Sequence, residues 1–302
     1  MQWRGRRQSN NIEDRRGGGG VKAGGLSIGS IILALALVLW KVFGVSPETT
    51  LGVTQQIGQA TQQQSAPANE TADQAESREF VATVLADTED VWTPIFTKLG
   101  GTYQPPKLVM FTGSVKSACG AATSASGPFY CPADQKVYLD TQFFVDMRRH
   151  MGIGSERHGS TELSRQDQVG DFAQAYVIAH EVGHHVQTLL GISQEVRKAQ
   201  MQGNERQANE LSVRQELQAD CFAGMWAKKN HERTGFLQQG DIEEALDAAE
   251  KIGDDYLQHK SHGHVVPDSF THGTSAQRQR WFYRGFETGD IQACDTFGTN
   301  QL

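Results

Sequence analysis

Between Phe80 and Leu99 the apolar residues Phe80, Val81, Val84, Leu85, Val91, Trp92, Ile95, Phe96 and Leu99 return at steps of three and four. That spacing keeps side chains on one face of a helix and predicts an amphipathic α-helix packed on a core. Lys107 to Thr112 and Lys136 to Leu139 are short β-branched or aromatic runs bounded by Gly, Pro and Asp, and predict strands. Four later stretches carry helical apolar stripes: Gln168 to Leu190, Glu205 to Lys229, Asp241 to Leu257 and Thr274 to Glu287, with Asp241 and Thr274 as start signals. No internal repeat is visible. The pattern predicts an α+β fold that is mainly helical with a small β-sheet.

A different pattern occupies the amino-terminal quarter. Leu26 to Val45, LSIGSIILALALVLWKVFGV, has Lys41 as its only charge and is long enough to cross a bilayer. Lys41 and Trp40 suit its interfacial end. Arg4, Arg6, Arg7, Arg15, Arg16 and Lys22 precede it against only Glu13 and Asp14, and basic residues are retained on the cytoplasmic side. The expected arrangement is a bacterial single-pass signal anchor. Residues 1–25 form a basic cytoplasmic segment, 26–45 the transmembrane helix, 46–77 a disordered polar linker, and 78–302 a periplasmic or extracytoplasmic domain. A cleaved signal peptide competes, but the basic region is long and Gly44-Val45-Ser46 makes a poor cleavage site.

Composition sharpens this in two ways. The formal net charge is −7 despite the basic head, and an acidic body lacks the basic face that nucleic-acid binding needs. The four cysteines suit an oxidising compartment. Cys119 and Cys131 flank a short Gly/Ser/Ala-rich segment and are favoured as a disulfide. Cys221 and Cys294 either pair with each other or leave Cys221 as a small buried hydrophobe. No two cysteines have C-x-x-C spacing, so a site of that kind is excluded.

The chemistry concentrates in His180-Glu181-Val182-Gly183-His184. Two histidines four apart on a helix project from one face and can reach one zinc ion at about 2.0 to 2.1 Å. Glu181 is placed to take a proton from water and pass it to a leaving amine. Chance can imitate the pattern, but Ala175, Val177, Ile178, Ala179, Val182 and Gly183 mark a buried helix, where a histidine needs a partner. A catalytic zinc needs a third protein ligand, and Glu216 is the candidate. Asp220, one turn on, shares its face and can accept the free ring N–H of a ligand histidine. His185 lies about 100° round the helix from His184 and is read as a neighbour contact, not a ligand. His259, His262 and His264 read as a flexible surface loop, although a His-rich tract can also store metal, and His150 and His158 read as lid or surface.

Trp3-Arg4-Gly5-Arg6-Arg7, Asn11 to Arg16, HEVGHHVQ at 180–187, ELQADCFAG at 216–224 and VPDSFTHGTSAQR at 266–278 together resemble the putative neutral zinc metallopeptidase family of bacterial membrane-anchored proteins, over nearly the whole chain. The two metal motifs are similar to the gluzincin pattern, so the resemblance implies a zincin-like domain. It also implies one zinc ion held by His180, His184 and Glu216, and peptide or protein substrates. It suggests that His272 hydrogen-bonds the oxyanion. Arg278, one turn into the last helix, is expected either to orient an acidic neighbour or to assist the same oxyanion. Thr274 as a helix cap is the bland alternative for the His272 loop. The expected function is a membrane-anchored zinc peptidase with Glu181 as general base. The alternative is a non-catalytic zinc-containing binding or chaperone-like module. Lys136 to Asp140 is expected to offer a sheet edge to an extended peptide.

Overall fold

The computed structural model describes residues 1–16, 70–123, 126–144 and 170–302. The expected transmembrane segment 26–45, most of the expected linker, and His150 and His158 lie outside them. Among the described residues no helix is long and apolar enough to cross a membrane. The chain divides into two compact units, Met1–Glu13 with Thr71–Leu302, and Asp14–Glu70.

The larger unit is mainly helical, with a small sheet. Helix α1 (Ala72–Lys98) starts at Thr71, whose side chain accepts from the Gln74 backbone while Gln74 bonds back, a reciprocal cap. Its stripe of Phe80, Val81, Val84, Leu85, Trp92 and Phe96 is buried, whereas Leu99 lies past the helix end, half exposed. The helix begins before the first apolar residue of the stripe, because its polar first turn is held by the cap. Met1–Glu13, expected as a separate basic segment, packs into the same unit.

Strands β1 (Ile12–Asp14), β2 (Lys107–Phe111), β5 (Phe129–Cys131) and β6 (Lys136–Asp140) form one sheet in the order β1-β2-β6-β5, while β3 (Ser114–Ser117) and β4 (Gly120–Thr123) form an antiparallel pair. β2 and β6 are parallel, with Leu108 opposite Val137 and Met110 opposite Leu139. The expected peptide-binding edge at β6 is thereby corrected. β6 is paired on both sides, and four of its five residues are buried, as a central strand requires. β5 is the terminal strand, antiparallel to β6.

Helices α2 (Asp171–Leu189), α3 (Ile192–Gln202), α4 (Glu205–Thr234), α5 (Asp241–Lys251), α6 (Asp254–His262) and α7 (Ser275–Thr288) follow. The expected helix 241–257 is broken at Ile252-Gly253, where Gly253 takes an extended conformation, φ −69° and ψ 145°, and starts a second helix. The tract expected as a loop at 259–264 is helical through His262, and His259 and His264 are exposed.

Close approaches between α2, α4 and α7 set the site. A Cβ at Gly183 would sit 3.1 Å from the Ala219 carbonyl oxygen, and one at Gly224 or Gly285 would come within 1.9 Å of a carbonyl on the facing helix. Hydrogen at these positions lets α4 lie against both neighbours. Disulfides join Cys119 to Cys131 and Cys221 to Cys294. The second ties α4 to the chain beyond α7.

Candidate active site

The turns of α2 and α4 that face each other carry His180, His184, Glu216 and Asp220. One donor atom from each of His180, His184 and Glu216 lies within 4.8 Å of the others. His180 Nε2 is 3.1 Å from Glu216 Oε2, and His184 Nε2 is 3.3 Å from Glu216 Oε1. Each ring is oriented from its far side. His180 Nδ1 donates to Asp220 Oδ1 at 2.8 Å, and His184 Nδ1 donates to Gln187 Oε1 at 2.9 Å. Gln187 is itself fixed by donating to the Gln215 carbonyl and Gln218 Oε1. Both Nε2 atoms are thereby turned toward Glu216.

Asp220 is fully buried and saturated with donors. Besides His180 it accepts from Tyr176 Oη at 2.6 Å and from Arg278 Nε and Nη2, both at 2.9 Å. Arg278 is buried and engaged on Asp220, so the guanidinium orients the acidic neighbour, one of its two expected roles. Its pairing with Asp220 outweighs the loss of solvation and holds it well above the usual range.

The cluster attracts positive charge between the two imidazoles. Burial alone would depress His180, but Asp220 and Glu216 more than offset it and hold the ring up to about 10. His184 is raised, burial being outweighed by Glu216. Burial would raise Glu216, yet His184 and His180 hold it well below the usual carboxylate range. Two imidazole nitrogens and a carboxylate are the donor set of a catalytic zinc, and a divalent cation supplies the charge that protons otherwise supply. These residues fit the metal.

Glu181 is buried beside the cluster on α2. His185 faces away from it. Its Nε2 donates to the Gln104 carbonyl at 2.6 Å and its Nδ1 lies 3.1 Å from Tyr130 Oη, so it links α2 to β5. Burial lowers its pKa and keeps it neutral. His272 lies half exposed just before α7, close enough for Glu216 to raise its pKa, although its hydrogen bond to Asp254 contributes most. Asp254 Oδ2 accepts the backbone N–H groups of Thr271, His272 and Gly273, and Oδ1 is 3.1 Å from His272 Nδ1. Thr274 caps α7 as well, so the capping and the His272 contacts coexist.

Sequence reasoning missed Tyr176, Gln187 and Asp254. Tyr176 stands one turn before His180 and Gln187 three residues after His184, so helical spacing signals both. Asp254 is far from His272 in the chain and carried no local signal.

A sequence model of the family described as putative neutral zinc metallopeptidase matches residues 1–297. The uncharacterized protein YpfJ of Escherichia coli K12 is 47% identical over 305 residues, covering 99% of each chain. The uncharacterized protein Rv2575 of Mycobacterium tuberculosis H37Rv is 42% identical over 221 residues, covering 70% of this chain and 68% of that one. No solved structure matches.

Proposed function

The chain belongs to the putative neutral zinc metallopeptidase family, and from that premise we propose that it hydrolyses peptide bonds with one zinc ion held by His180, His184 and Glu216. The observation that carries this reading is the convergence of both Nε2 atoms on the Glu216 carboxylate, with Glu181 buried at the next position on α2. A metal site built only for stability would more often be closed by four ligands or by cysteines.

Zinc, when bound, supplies a Lewis acid that polarises a carbonyl and acidifies water. The chain's residues do the rest. Glu181 accepts a proton from the attacking water and delivers it to the leaving amine. Asp220 and Gln187 hold the two imidazoles in the tautomer that presents Nε2. Arg278 and Tyr176 keep Asp220 ionised and occupied, so it orients His180 and does not itself bind metal. His272, held through Nδ1 by Asp254, presents its other nitrogen to the oxyanion that develops on the substrate. The β5 strand, linked to α2 through Tyr130 and His185, replaces β6 as the edge for an extended peptide.

The Leu26–Val45 stretch, by its length and apolarity, supports attachment to a membrane. The test is incubation of the full chain with a random peptide library, with and without chelator. Zinc-dependent cleavage, restored by added zinc, is expected. A chain that binds zinc and cuts nothing belongs instead to a non-catalytic binding module.

A further inference from the structure

We propose that the amino-terminal arm Met1–Glu13 is a fixed part of the zinc-site body, so that the amino terminus and the active site share one compartment. The arm is bonded along its whole length. The Gln2 N–H donates to the Phe236 carbonyl at 2.8 Å, the Ser9 N–H to the Ala82 carbonyl at 2.9 Å, and Asn11 accepts from the Leu108 N–H at 2.8 Å. Trp3 is 2% exposed, packs edge-on to Phe80, and donates its indole N–H at 3.0 Å to Asp171, the first residue of the zinc-ligand helix.

The charges that suggested a cytoplasmic segment are used inside this fold. Arg4 pairs with Glu76, Arg6 with Asp87 at 2.6 Å, and Arg7 with Glu89 at 2.9 Å and Asp90 at 2.6 Å. Glu89 also accepts from Ser9 and Asn11, and Glu13 pairs with Lys136 at 2.8 Å. Moving the arm across a bilayer would expose Trp3 and Ile12 and strip partners from Asp87, Glu89 and Asp171, all buried carboxylates. Buried charges without partners are strongly destabilising.

Chain geometry gives a second, independent argument. The chain leaves the larger unit at Glu13 and re-enters it at Thr71. Within the smaller unit Arg16 bonds both Asp14, at 2.5 Å, and Glu70, at 2.8 Å, so the beginning and end of the excursion are side by side. An excursion that starts and finishes on one side crosses a membrane an even number of times. Each crossing needs about 20 apolar residues. The intervening sequence holds one such run, and no large apolar residue follows Ile57 before Glu70. One crossing between Asp14 and Glu70 would part residues that Arg16 holds together. The inference does not depend on metal binding or hydrolysis.

The test uses the full chain in sealed cells. All four native cysteines are in disulfides, so a single added thiol reports alone. Gln8→Cys in the arm and Met201→Cys in α3 are both at exposed positions. Each variant is treated with a membrane-impermeant maleimide before and after permeabilisation. Both are expected to label under the same condition, and labelling of one in sealed cells and the other only after permeabilisation overturns the proposal. Carbodiimide treatment of the unmodified chain in membranes is the companion readout. It should couple Glu13 to Lys136, detected as a linked peptide pair by mass spectrometry. Absence of that pair in the folded chain also overturns the proposal.

Discussion

Two buried clusters of carboxylates and cations hold the long helices together, and they differ in where the positive charge comes from. At Asp87 it is fixed. Arg6 and Arg233 donate at 2.6 and 3.0 Å, and Asn230 donates at 3.1 Å. Guanidinium groups do not give up their protons, so the positive charge of this cluster is permanent. At Glu216 the charge sits between the nitrogens of His180 and His184, where a metal can replace protons. The first cluster locks α1 to α4 and to the arm. The second offers lone pairs that could hold a metal ion, and its outer atoms are held by Asp220 and Gln187. The contrast predicts that substitutions in one cluster act on stability and those in the other on metal affinity and turnover.

The largest effect is expected from His184→Ala, which removes one of the three proposed metal donors. Zinc affinity, measured by competition with a chromophoric chelator, should fall by more than about 100-fold, exceeding the roughly 10–100-fold loss typical of an outer partner. Retained affinity would break the comparison at its metal side.

Next comes a pH effect at the fixed cluster. Burial outweighs the attraction of Arg6 and raises the Asp87 carboxyl from 3.8 to about 6. An acid raised on folding contributes stability that is full below its unfolded value near 4 and is lost as pH rises through about 6. Asp87→Asn removes that titration. The stability difference between variant and parent, from urea unfolding at pH 4 and pH 7, should shift by about 2 kcal/mol in the variant's favour. A pH-independent difference would mean that Asp87 is ionised throughout.

Smaller changes are expected from the residues that orient the site. Asp220→Asn should weaken zinc binding by roughly 10–100-fold while the helices stay folded, because the ring N–H of His180 keeps only a neutral acceptor. Asp254→Asn should leave zinc affinity unchanged and lower kcat by about tenfold, less than the roughly 100-fold or more lost with a direct oxyanion donor. Its pH profile should also shift, since Asp254 is the main group raising His272. If kcat and profile are both unmoved, His272 has no part in turnover.

Much of this was legible in the sequence where spacing carries geometry. Periodicity located α1, α2, α4 and α7, and their expected limits fall within a few residues of the observed ones, except that α1 begins at Ala72, well before Phe80, and α4 runs on to Thr234. The four-residue steps from His180 to His184 and from Glu216 to Asp220 placed the donors on two helix faces, and the small residues Gly183 and Ala219 let those faces meet. Local spacing fails where partners come from distant chain. Asp254 reaches His272 through a turn that no pattern announces, and the short β1, β3, β4 and β5 carry too few residues for an alternation to register. Helix α3 was missed because its residues are mostly exposed, with only Val196 buried. The partners of the arm are hidden for the same reason. A run of arginines before an apolar stretch reads as a topological signal, and the fold shows in addition that Arg4, Arg6 and Arg7 each face an acid of α1.

The measurement that reaches the central claim most directly compares the parent chain with Glu181→Gln, following bound zinc by metal analysis and cleavage of the peptide library in the same samples. The account predicts about one zinc per chain in both. It also predicts that cleavage in the variant falls by about 100-fold or more. Full cleavage by Glu181→Gln with zinc bound would contradict it.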